Sequence, residues 1–260
     1  MNARDLSIII PCYNESDGIA AMRERLAAVL PTLRQRGSVE VVLIDDGSAD
    51  GTGDLLDQAF GGWPEVTIVR HAQNQGLGAA LRTGLAHATG AVIVTTDSDG
   101  TYPFAQIPAL LDHLQPGMDV VTASPYHPDG GIANVQAYRI AISKSASLLY
   151  RLLLDWRIHT YTALFRAYRR EVLETIAPRI THNGFLMVTQ MLVEALLAGY
   201  RVAEFPTVLQ VRQIGTSKAR IVRITQTHLR YMASLIGRRA RGERPAAQAE
   251  SRLPVPSRAR

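Results

Sequence analysis

The sequence has a single cysteine, Cys12, among its 260 residues, so neither an intrachain disulfide nor a CxxC zinc site can form. Such sparing use fits a reducing compartment. No apolar run approaches the roughly 18 residues of a membrane-spanning helix. The first apolar run, Leu6 to Pro11, is too short for a secretory signal and follows Arg4 and Asp5, so no signal peptide is expected. There is no P-loop, and no GxGxxG follows the first predicted strand. The histidines (His71, His87, His113, His127, His159, His182 and His228) lack metal-ligand spacing and read as structural or exposed. Trp63 and Trp156 read as packing residues rather than a sugar platform.

What is present is globular: 47% hydrophobic and 20% charged side chains exclude a disordered or collagen-like chain. That is enough for one large α/β domain with appendages. The net charge of +5 is uneven, because residues 230–260 hold eight Arg against Glu243 and Glu250. The basic balance belongs to a tail, which argues against a nucleic-acid partner and leaves contact with anionic lipid open.

Short β-branched runs alternate with helical patterns. Strands are expected at Leu6–Pro11, Val39–Ile44, Val66–Val69, Ala91–Thr96, 119–123, 162–168 and 202–212. Helices are expected at 18–30, 52–60, 76–88, 105–114, 136–154, 184–198 and 221–236. Such apolar strands between helices predict a mostly parallel sheet covered on both faces. Ligands of such sheets bind beyond the carboxyl ends of the strands. The polar clusters Tyr13-Asn14-Glu15, Asp45-Asp46 and Asp97-Ser98-Asp99 fall there. The segment 221–236 is amphipathic, with Arg220, Arg223 and Arg230 opposite its apolar side, and 237–260 is expected to be a disordered basic tail.

Asp97 and Asp99, one residue apart at a strand end, repel each other, and a cation between them relieves that cost. Oxygen donors suit Mg²⁺ or Mn²⁺, ions that bridge to phosphates. The other reading is a solvated turn. Asp46 either accepts from a ribose or base, or caps a turn. Tyr13 offers a base-stacking face and Glu15 an acceptor, or both belong to an ordinary turn. Asn74 to Ala80 brings a helix N-terminus close either to a ligand or to a packed neighbour. Asp50 and Asp54 read as turn and early-helix acids.

Six segments in order, PCYNES, VVLIDDGSADGT, NQGLGAALRTG, TTDSDGTYP, FRAYRREVLE and GTSK, resemble family 2 glycosyltransferases over residues 6–220. The nearest likeness is to polyprenyl-phosphate (dolichyl-phosphate mannose synthase-like) members. The resemblance implies a GT-A, Rossmann-like fold over 1–218, followed by the amphipathic helix and the tail. It implies a nucleotide-sugar donor (GDP-mannose or a UDP-hexose), Mg²⁺ or Mn²⁺, and inverting transfer to a lipid phosphate at a cytoplasmic membrane surface. By the same resemblance Pro11, Tyr13, Glu15, Asp46 and Ser98 hold the nucleotide, and Asp97 and Asp99 the metal and diphosphate. Arg139, Ser143, Arg212 and Lys218 attend the acceptor phosphate.

Thr101, Ser124-Pro125, Thr160, Leu164 and Gln190 depart from the family pattern, mostly in the acceptor half. Two other outcomes therefore stay open: the same donor chemistry onto a saccharide or small-molecule hydroxyl, and a GT-A-like binding protein without catalysis. No evident base for a hydroxyl acceptor appears in residues 124–220, which favours an acceptor that is already anionic.

Overall fold

The computed structural model describes residues 5–210 and 221–242. Its strands are β1 (Leu6–Cys12), β2 (Val39–Asp45), β3 (Val66–Arg70), β4 (Val92–Thr95), β5 (Val120–Ser124), β6 (Gly131–Ala133), β7 (Arg166–Arg169), β8 (Val202–Pro206) and β9 (Val208–Gln210). Its helices are α1 (Ile19–Arg34), α2 (Thr52–Phe60), α3 (Leu77–His87), α4 (Ile107–Asp112), α5 (Ala137–Leu153), α6 (Arg170–Ile176), α7 (Leu186–Leu197) and α8 (Ile221–Ala240).

The main sheet runs β3-β2-β1-β4-β7-β5-β8, and every neighbour pair is parallel except those made by β7. β6 and β9 form a separate parallel ribbon. Alternation along each strand divides the core. Ile8, Ile10, Val41 and Leu43 face α1, α2 and α4, while Ile9, Val42 and Ile44 face the layer of α3, α6 and α7. β1 has β2 on one side and β4 on the other, all parallel, so their carboxyl ends open at one edge where the strand order reverses.

Several expectations need correction. The strand expected at 162–168 begins only at Arg166, and that expected at 202–212 is two strands broken at Thr207. The terminal helix runs through Gly237 to Ala240, so residues 237–240 are not a disordered tail, while 243–260 lie outside the described residues. The overrun has a cause. Arg238 pairs both guanidinium nitrogens with Glu194 of α7 at 2.5 and 3.0 Å, and Arg239 donates to the Leu153 carbonyl at 2.6 Å. The apolar side of α8 (Tyr231, Met232, Leu235) is buried on the domain. Trp63 packs edge-on against Phe60, but Trp156 is 71% exposed rather than the packing residue expected.

The antiparallel insert is held by a wholly buried Arg166. It donates to the Thr122 hydroxyl at 2.9 Å, the Tyr161 carbonyl at 2.7 Å and the Val188 carbonyl. Arg166→Ala opens a cavity and orphans these acceptors. We expect a loss of about 3–5 kcal/mol in urea unfolding at an unchanged m-value.

Candidate active site

The loops leaving β1, β2 and β4 start in register: the Asp46 amide donates to the Cys12 carbonyl at 2.9 Å, and the Thr96 amide to the Ile9 carbonyl at 3.1 Å. Beyond them lies a cleft of about 270 Å³. Pro11, Tyr13, Glu15, Asp46, Asp97, Ser98 and Asp99 all line it, so every residue expected on the nucleotide side comes together.

Asp46 is buried and its carboxylate is already committed. Oδ1 accepts from the Gln75 amide at 3.0 Å and lies 2.7 Å from His71 Nδ1; Oδ2 accepts from the Gly76 amide at 2.8 Å and from Asn74 Nδ2 at 3.0 Å. His71 is held from its other side by the Thr83 hydroxyl, 2.8 Å from Nε2. Four contacts match the acceptor capacity of a carboxylate. Gly47 lets this happen: its φ is +68°, and a Cβ there would lie 2.2 Å from the Gln73 carbonyl carbon. The N-terminus of α3 is also occupied, since the Gly78 and Ala79 amides donate to the Asn183 carbonyl at 2.6 and 3.2 Å. In Asn74–Ala80 the Gly78 and Ala79 amides meet a packed neighbour, while Asn74, Gly76, Leu77 and Ala80 line the cleft. Asp50 accepts from Ser16 and Thr52; burial works upward on its pKa, and these hydrogen bonds outweigh it, bringing it to about 2.

Asp97 and Asp99 are partly exposed on the cleft wall. Asp99 Oδ1 accepts from the Thr101 amide at 2.9 Å, a turn contact that fixes the carboxylate. Arg25 of α1 stands behind the pair and donates to the Ser98 carbonyl at 3.1 Å. Burial lowers its pKa and the charge of Asp99 opposes that shift. Cys12 also touches the cleft, but burial first, then Glu15 and Asp45, push its thiol far above its ordinary value, so it is an inert packing group.

A second cavity of about 610 Å³ opens between α5, α7 and α8. Leu77, Asp97 and Phe185 line both cavities and form the wall between them. The groove is apolar, and Ile142, Leu149, Phe185 and Leu229 on its margin are 39–54% exposed. Ser143 lies on this groove, its hydroxyl 2.8 Å from that of Thr162. Arg139 stands four residues earlier in α5. Arg212 and Lys218 lie outside the described residues. Leu77, Leu149, Phe185 and Leu229 carried no sequence signal, because their shared wall is built from helices far apart in the chain.

His228 also lines the groove, with Nδ1 3.0 Å from the Tyr150 hydroxyl. Burial, and secondarily His182, pull its pKa down to about 4. The unfolded value is about 6.5. Between those values the unfolded chain binds the extra proton, so this contribution to stability is complete above about pH 6.5 and is lost as pH falls toward 4. We expect urea midpoints to show about 2–3 kcal/mol of loss from pH 7.5 to 4.5 from this group, and His228→Gln to flatten that slope.

Two of the departures from the family pattern, Thr160 and Gln190, are structurally absorbed. Gln190 accepts from the Thr181 and His182 amides and donates to the Arg179 carbonyl at 3.0 Å, a donation no carboxylate can make. Thr160 and Ser124 are buried with their hydroxyl oxygens 2.9 Å apart.

A sequence model described as glycosyl transferase family 2 matches residues 7–177. A polyprenol monophosphomannose synthase from Mycolicibacterium smegmatis is 34% identical over 216 residues, covering 81% of this chain and 79% of that protein. An undecaprenyl-phosphate mannosyltransferase from Micrococcus luteus is 32% identical over 215 residues, covering 81% and 85%. Among solved structures, a mannosyltransferase from Pyrobaculum calidifontis in complex with GDP-Man and Mn²⁺ superposes with a TM-score of 0.61 at 21% identity, covering 95% of this chain and 67% of that one. A Mycobacterium tuberculosis glucosyl-3-phosphoglycerate synthase in complex with Mn²⁺, UDP and glucosyl-3-phosphoglycerate gives 0.63 at 19% identity, covering 94% of this chain and 82% of that one.

Proposed function

We propose a reaction from an established premise: the chain belongs to glycosyl transferase family 2, has the GT-A fold and is a glycosyltransferase. The reaction we infer is inverting transfer of a sugar, mannose first among the candidates, from a nucleotide-sugar to a polyprenyl phosphate. The observation that carries this reading is the pair of cavities: an acidic cleft and an apolar groove that meet at Asp97. Two relatives above 30% identity, one named a polyprenol monophosphomannose synthase and the other an undecaprenyl-phosphate mannosyltransferase, support the same sugar and acceptor class.

A nucleoside diphosphate entering the cleft meets Glu15, Asp97 and Asp99, all acidic. The repulsion calls for a cation, and the all-oxygen donors fit Mg²⁺ or Mn²⁺. Asp97 and Asp99 are the residues that would hold it. When bound, it stabilises charge developing on the leaving diphosphate. Tyr13 offers its ring to the base, and Pro11 and Ser98 shape the walls. Asp46 is assigned here as a positioning residue that fixes the 73–76 loop, since its oxygens already have their partners.

A phosphate acceptor needs no general base, because its nucleophilic oxygen is already anionic. It needs orientation, for which Ser143, Arg139, Arg212 and Lys218 are the candidates. The groove would take the lipid chain. Its exposed apolar margin, continued by Leu148, Leu152 and Trp156, suits a headgroup boundary. No described helix is long and apolar enough to cross a membrane, so contact with the cytoplasmic face is proposed as peripheral.

The test is incubation with labelled GDP-mannose, UDP-glucose or UDP-GlcNAc, together with Mn²⁺ and polyprenyl phosphate. Label in the lipid extract supports the proposal. Donor hydrolysis without lipid label, or label on an added saccharide, contradicts it.

A further inference from the structure

Away from the acidic cleft, His127, His159 and Glu204 each bring a ligand atom within 4.8 Å of the other two. They come from the loop after β5, the loop before β7 and the edge strand β8, 32 and 45 residues apart, which is why no motif is visible. We propose that these three side chains form a second metal site, selective for a borderline divalent ion of the zinc class and distinct from the Asp97–Asp99 pair.

The supporting geometry is that of a prearranged ligand set. Glu204 Oε1 accepts from the Ser124 hydroxyl at 2.6 Å and from the His159 and Thr160 amides at 2.7 and 3.2 Å. Those three donors lock the carboxylate and leave Oε2 facing His159 Nδ1, 2.6 Å away. Carboxylates that ligate metals are oriented in this way by hydrogen bonds to the other oxygen. The His127 ring meets that of His159 edge-on, with centroids 5.2 Å apart. Asp129 flanks His127, with its backbone nitrogen 3.1 Å and its Oδ2 3.6 Å from Nδ1. The His127, His159 and Glu204 side chains are 27%, 21% and 9% exposed, so the cluster is braced yet open to solvent.

Two imidazoles and one carboxylate with an open position match the His₂Glu donor set of zinc sites. The all-oxygen Asp97–Asp99 pair suits harder Mg²⁺ and Mn²⁺, so the two sites sort ions by ligand chemistry. An ion here ties the loop following Ser124 to the edge of the sheet. Tyr126 sits in that loop, its phenol close to Ser143 of the apolar groove. Binding would therefore stiffen one wall of the acceptor side.

The experiment uses the chelator-treated full-length chain carrying Asp97→Asn and Asp99→Asn, which removes the competing carboxylates. Zn²⁺ is titrated by calorimetry, and Co²⁺ serves as an optical probe. The expected result is one equivalent of Zn²⁺, a Co²⁺ visible spectrum typical of nitrogen ligation, and affinity lowered about tenfold or more by His127→Gln. His127 is the variant that decides, because its hydrogen bonding is peripheral; Glu204→Gln is the second, with circular dichroism as its folding control. Affinity unchanged by His127→Gln, or no Zn²⁺ uptake once Asp97 and Asp99 are replaced, overturns the proposal.

Discussion

Asp99→Ala is expected to lower sugar transfer about 10³-fold while the protein stays folded. The side chain is partly exposed, and the contact it makes with the Thr101 amide is a turn bond worth about 1 kcal/mol. Its loss leaves the β4 exit slightly looser and removes the charge of Asp99 from beside Arg25. Catalysis depends on far more. In the proposed reaction a diphosphate leaving group gains charge beside Glu15 and Asp97, and a cation on the Asp97–Asp99 pair would offset that charge. The comparison to make is kcat at saturating Mn²⁺ and donor, with circular dichroism as the control. Full activity in Asp99→Ala removes the metal assignment.

The double variant Leu149→Glu and Leu229→Glu is expected to reduce kcat/KM for a long-chain polyprenyl phosphate about 100-fold, mainly through KM. The two residues are 43% and 54% exposed and line the apolar groove, so charge is tolerated in the free protein. Each Leu that would be covered by lipid contributes about 1.5 kcal/mol, and the pair about 3 kcal/mol, which is close to a hundredfold. Neither lines the nucleotide cleft, so affinity for a nucleoside diphosphate should not change. An unchanged KM for the lipid places the acceptor elsewhere.

The donor half was legible because it depends on local signals. The apolar runs at Leu6, Val39 and Val92 could only be buried strands, and the acids just past them had to gather at one edge. α2 was readable to the residue, bounded by Gly51 and Gly61. Pairing was not legible. Nothing in FRAYR announces that β7 inserts antiparallel between β4 and β5, because that depends on Arg166 finding acceptors on β5 and α7. The last helix was expected to end at 236, and Gly237 in a helix interior costs about 1 kcal/mol relative to Ala. The Arg238–Glu194 pair and the Arg239 contact with α5 offset that cost, and both partners are remote in sequence. Asp46 was read as either a ligand contact or a turn cap; its burial by the 71–76 segment could not be seen from the β2 end alone. The groove escaped for the same reason, since Leu77, Phe185 and Leu229 meet only in three dimensions.

The proposal stands or falls on Asp97 and Asp99, at the end of β4, holding a diphosphate through a shared ion next to the apolar groove. Its most direct test is a crystal soaked with Mn²⁺ and GDP or UDP, read by the anomalous signal of manganese. A manganese peak bonded to Asp99, with the diphosphate beside it in the 270 Å³ cleft, is the expected result. Nucleotide bound in that cleft with no ion at Asp97 or Asp99, or nucleotide seated in the apolar groove instead, would contradict it.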